Sequence, residues 1–65
     1  MFKKGFRFME TRNNILCEIV SDREVIDYYG EKYAYSVMTG DFKVCTILES
    51  TIIDNLTLGI YREVE

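Results

Sequence analysis

Hydrophobic and polar residues alternate along most of this chain, in short runs broken by Gly, Asn and Asp. Residues 5–11 (GFRFMET) set Phe6 and Phe8 against Arg7 and Met9, the period-two pattern of a half-buried strand. Arg12-Asn13-Asn14 reads as a turn, because asparagine tolerates the left-handed backbone. Residues 15–20 (ILCEIV) predict a second strand, with Ile15, Cys17 and Ile19 on one face and Leu16, Glu18 and Val20 on the other. Ser21-Asp22-Arg23 connects it to the longest patterned stretch, residues 24–38 (EVIDYYGEKYAYSVM). Thr39-Gly40-Asp41 is a further turn, and residues 42–47 (FKVCTI) predict a fifth strand.

The 24–38 stretch predicts a β-hairpin folded about Gly30 and Glu31. Gly30 in the first central place of a two-residue turn supplies positive φ without a Cβ clash. In that register Tyr29 faces Lys32, Tyr28 faces Tyr33, Asp27 faces Ala34 and Ile26 faces Tyr35. One face then carries Ile26, Tyr28, Tyr33, Tyr35 and Val37, and turns to the core. The other carries Asp27, Tyr29, Lys32, Ala34 and Ser36, and stays wet. A four-residue turn on the same glycine is the competing arrangement.

The last third supports two readings. Thr46 and Glu49 have capping-box spacing, Leu48, Ile52 and Leu56 fall on one helical face, and Gly59 sits at a C-cap position. Against them stand the β-branched Thr51, Ile52, Ile53, Thr57 and Ile60, with Asp54-Asn55 placed to turn a hairpin. The pattern favours a short helix over 48–57, followed by a closing strand over 60–64.

Sixty-five residues make one small β-rich domain, 1–65, with a thin core that a second copy of the chain would enlarge. Its 48% hydrophobic and 29% charged residues argue against disorder. No uncharged run is long enough to span a bilayer, and residues 1–9 lack the apolar stretch of a secretion signal, so the expected location is cytoplasmic. The net charge of −3 is unevenly spread. Lys3, Lys4, Arg7 and Arg12 face only Glu10 within residues 1–13, whereas the remainder is strongly acidic. That acidic majority disfavours a broad nucleic-acid surface and suits docking on a basic partner.

The order of GFRF near the start, the central hairpin, and LESTIIDNLTLGIYREV at the end resembles the small SH3-like barrels, including tiny proteins of phages and other mobile elements. The likeness spans most of the chain and implies a five- to six-stranded antiparallel barrel with a short helix before the last strand. It also implies binding of peptides, proteins or nucleic acids in place of catalysis. The aromatic and acidic loop set of proline-rich-peptide grooves is missing here.

The residue inventory narrows the chemistry. With no histidine and two separated cysteines, neither a zinc site nor a histidine-activated nucleophile is expected, and no cofactor is implied. Cys17 and Cys45 each lie in an apolar run and read as buried reduced thiols, with a disulfide between them the alternative. Asp22, Glu24, Asp27 and Glu31 lack the spacing of a calcium loop. The expected function is therefore a small non-catalytic protein-binding module, an inhibitor or adaptor, whose wet face carries Glu24, Asp27, Tyr29, Glu31 and Lys32. The alternatives are nucleic-acid binding through Lys3, Lys4, Arg7 and Arg12, or a structural homo-oligomer such as a homodimer.

Overall fold

The computed structural model describes residues 2–27 and 29–64, and of Glu31 the backbone only. Six antiparallel strands share one sheet: β1 (Arg7–Glu10), β2 (Ile15–Ile19), β3 (Glu24–Asp27), β4 (Glu31–Thr39), β5 (Val44–Leu48) and β6 (Tyr61–Val64). A single helix, α1 (Glu49–Leu58), separates β5 from β6. The nine-residue β4 is the spine. Its first half pairs with β3 and its second half with β2 along one edge, while β5 runs along the other. At the corner between β2 and β3, Val20 donates to the Ser36 carbonyl at 2.9 Å, and the Ser21 hydroxyl accepts from the Ser36 amide at 2.8 Å. The strand thus changes direction without leaving these backbone groups unpaired.

The first strand makes the longest return. β1 pairs with β2 on one side and with β6 on the other, Phe8 lying between Cys17 and Glu63. Barrel closure, expected from the sequence, does not occur. β5 pairs only with β4 and β6 only with β1, and α1 lies over the gap against β4, β5 and β6. A helix side chain fills what a strand-to-strand seam would otherwise occupy: Ile52 is fully buried and completes a core of Phe8, Cys17, Ile19, Tyr35 and Val37. Phe2, Phe6, Ile47, Leu56 and Tyr61 pack around it. The rings of Phe8 and Tyr61 lie 4.5 Å apart, so the aromatic pair joins the two chain-distant strands across the floor of the core.

The helix expected over 48–57 forms one residue later, and Gly59 ends it with φ 80° while donating its amide to the Leu56 carbonyl at 3.3 Å. The expected capping box does not form. Thr46 remains in β5, the N-cap is Leu48 without a side-chain bond, and Glu49 turns inward instead. The closing strand begins at Tyr61. The fifth strand begins at Val44, not at residue 42, because Phe42 takes a left-handed backbone (φ 64°) in the preceding turn.

Candidate protein-binding site

The central hairpin forms with a different register from the one its glycine suggested. Asp27 pairs with Glu31, Ile26 with Lys32, Val25 with Tyr33 and Glu24 with Ala34, which leaves positions 28 to 30 between the strands. Gly30 still supplies positive φ (107°), but at the third place of a three-residue connection, and Tyr29 before it is also left-handed (φ 54°). Tyr28, expected on the core face, lies outside the described residues.

This register redistributes the expected wet face. Glu24, Ile26, Lys32 and Ala34 share one side of the hairpin, and Val25, Asp27, Tyr33 and Tyr35 the other. Asp27 and Lys32, expected together, therefore stand on opposite sides, while Tyr29 belongs to the connection and to neither face. Ile26, expected beside Tyr35, lies on the side away from it. Ala34, expected to be wet, is fully buried, set between Glu24 and the half-buried Leu48 in the flanking strands. Tyr35 and Val37 do face the core, and Tyr33 is half-buried.

The base of the hairpin is anchored by a charged network that sequence reading missed. Arg23 donates from Nε and Nη2 to the two carboxylate oxygens of Glu49, at 2.9 and 3.0 Å. Its guanidinium carbon lies 3.5 Å from the centre of the Tyr33 ring, a cation–π contact. The Tyr35 hydroxyl donates to Glu49 at 2.7 Å and accepts from the Phe2 amide at 2.9 Å. Arg23 holds the Glu49 carboxyl below its usual range, with help from the Tyr35 hydrogen bond, against the opposing effect of burial. Burial pushes the Tyr35 phenol up, and the neighbouring Glu49 adds to that shift. Only the capping-box spacing pointed at Glu49, and it pointed to the wrong partner.

Beyond this anchor much of the hairpin's surface is exposed. Tyr29 is 94% exposed and Val25 57% exposed. Asp22, Glu24, Asp27 and Lys32 are exposed as well.

The basic residues form no comparable constellation. Lys3, Lys4 and Arg7 are exposed at the start of β1, while Arg12 lies past its far end. Arg12 there binds the Glu10 carboxylate at 3.0 Å, and Glu10 also accepts from the Arg12 and Asn13 amides. Half of the expected buried-thiol pair is corrected: Cys17 is buried, but Cys45 is exposed on β5. Both thiols are free. Among the described residues no three His, Cys, Asp or Glu side chains cluster as metal ligands would, and no helix is long and apolar enough to cross a membrane. Comparisons of the chain with protein-family models, with curated proteins and with solved structures returned no match.

Proposed function

We propose that this chain is a small non-catalytic protein-binding module, an inhibitor or adaptor that meets a basic surface of a cellular protein with the end of its β3–β4 hairpin. The observation that carries this reading is Tyr29, a large amphipathic ring at 94% exposure, held in left-handed backbone at the hairpin's end. Tyrosine buries a large area at low entropic cost and is enriched where binding energy concentrates. Val25 supplies adjoining apolar surface, and Asp22, Glu24 and Asp27 supply negative charge around it. The Arg23–Glu49–Tyr35 anchor ties the base of this hairpin to α1. The likeness to small SH3-like proteins of phages and other mobile elements, which bind and seldom catalyse, points the same way.

Affinity capture from host-cell lysate with the tagged chain, read by mass spectrometry, tests the reading. A partner retained by the wild type and lost with Tyr29→Ala combined with Asp27→Asn supports the hairpin site. Unchanged capture by that double variant removes it.

A further inference from the structure

The opposite end of β4 carries a second exposed aromatic, Phe42, which is 84% exposed. Thr39 and Lys43 close the β4–β5 connection, the Thr39 amide donating to the Lys43 carbonyl at 2.8 Å. Residues 40 to 42 lie between them, and the third is the place where such connections use glycine or asparagine. Phe42 occupies it, with φ 64°. Gly40, two residues earlier, does not use positive φ at all. Phe42 is nonetheless 84% exposed, so packing within the chain does not compensate the strained backbone.

Beside this turn lies a groove of about 500 Å³, lined by Asn14, Ile15, Leu16, Gly40 and Asp41. Gly40 lines it without a side chain, and its position lies against the Leu16 backbone, at ordinary contact distance for a Cβ (3.5 Å from the carbonyl oxygen). Leu16 and Ile15 are each 38% exposed, and Val44, at 58%, extends the apolar surface along β5. A protruding ring and an apolar groove thus adjoin at one end of the molecule. Two charges flank the ring, Asp41 and Lys43, exposed and joined as an ion pair at 3.8 Å that can exchange partners with the same pair of another copy. The Thr39 hydroxyl donates to the Asp41 carboxylate and fixes it in place.

From this arrangement we infer that the β4–β5 turn is a self-association surface, and that its occupant is a second copy of this chain. A two-fold axis beside the turn seats Phe42 of each copy in the Leu16–Gly40 groove of the other. The same operation sets Asp41 of each copy against Lys43 of the other, twice. This charge complementarity selects the occupant: the chain as a whole is acidic and repels its own kind, but this turn carries one charge of each sign. The surface lies at the other end of β4 from Tyr29, so a dimer presents two hairpin ends and gains avidity for a partner with repeated sites.

Sedimentation equilibrium from about 1 μM to about 1 mM, the span of weak dimerisation, tests the inference. The expected wild-type mass rises with concentration from 7.7 kDa toward twice that value. Phe42→Gly removes the ring and also relieves the left-handed strain. It is expected to stay monomeric throughout while its melting midpoint, measured at the dilute end, rises by a few degrees. Leu16→Glu, which charges the groove wall, is expected to stay monomeric with its circular dichroism unchanged, and Tyr29→Ser is expected to dimerise like the wild type. A wild type that stays at 7.7 kDa across the range overturns the proposal, and so does a Phe42→Gly variant that dimerises as the wild type does.

Discussion

Arg23 grips Glu49 through two hydrogen bonds that tie the corner before β3 to the first turn of α1, and Glu49 is the only charged side chain buried among the described residues. A carboxylate in that position is tolerated because each of its oxygens has a donor: Arg23 reaches both, and Tyr35 adds a third bond. The network holds together the three parts of the fold that the sheet ladder does not join: the corner, the helix and the segment at Phe2.

Removing one member leaves the others desolvated. Glu49→Ala is expected to cost about 2 kcal/mol, since the buried Tyr35 hydroxyl loses its acceptor, and Tyr35→Phe about 1 kcal/mol. Urea titration followed by circular dichroism measures both. A Glu49→Ala midpoint equal to that of the wild type contradicts the assignment.

The same network sets two limits on pH stability. The Glu49 carboxyl is depressed in the folded state, chiefly by the Arg23 hydrogen bond, so its contribution is complete above the ordinary glutamate value of about 4.3 and is lost as pH falls through the folded value. Glu10 is depressed too, mainly by the Arg12 hydrogen bond, and adds the same sign. Tyr35 is raised, first by burial, so its contribution is complete below about pH 10 and is lost as pH climbs through the folded value. Tyr61, raised by burial, acts likewise. Melting midpoints are therefore expected to fall at both extremes. Glu49→Gln flattens the acid limb and Tyr35→Phe the alkaline one; limbs as steep as those of the wild type would refute the linkage.

Ile52 and Ile53 are neighbours with opposite fates. Ile52 is fully buried on the inward side of α1, whereas Ile53 is 39% exposed. Ile52→Ala is expected to cost about 3 kcal/mol, most of the stability of so small a domain, and Ile53→Ala less than about 1 kcal/mol. Denaturant midpoints decide it, and equal losses at the two positions would place the helix face wrongly.

The thiols should separate kinetically. Cys17 is buried, and burial raises its pKa, while Cys45 lies exposed on β5. An aromatic disulfide reagent added to native protein is expected to modify one thiol rapidly and the other only as the fold opens. Cys45→Ser removes the fast phase. Two equal phases would mean that both thiols are accessible.

The signals that carried from sequence to fold are the local ones. The helix was legible because Leu48, Ile52, Leu56 and Gly59 all act within a few turns of chain. The alternation of Ile15, Cys17 and Ile19 placed β2, and only its exposed end at Ile15 departs from the expected core face. The hairpin register was not legible. Gly30 provides positive φ equally well at the first place of a two-residue turn or the third place of a longer one, and Val25, Ile26 and Tyr33 give no clean alternation to break the tie. Barrel closure failed for a related reason: whether a helix or a strand covers the last edge is decided by packing at Ile52. The binding residues fared in between. Tyr29, Glu24, Asp27 and Lys32 are exposed as expected, but the altered register divides them between surfaces. Phe42 was hidden altogether, since an aromatic before Lys43-Val44-Cys45 reads as the start of a strand.

The pairing of β1 with β6 has a kinetic consequence. β4 meets β3 and β5 through short connections that close quickly, whereas Arg7 must find Val64 and Glu10 must find Tyr61 across nearly the whole chain. Loop-closure entropy places that encounter late, after the β3–β4–β5 meander has formed and α1 has docked on it. The seam between the first and last strands then acts as the latch of the folding reaction: substitutions there should speed unfolding while hardly slowing folding.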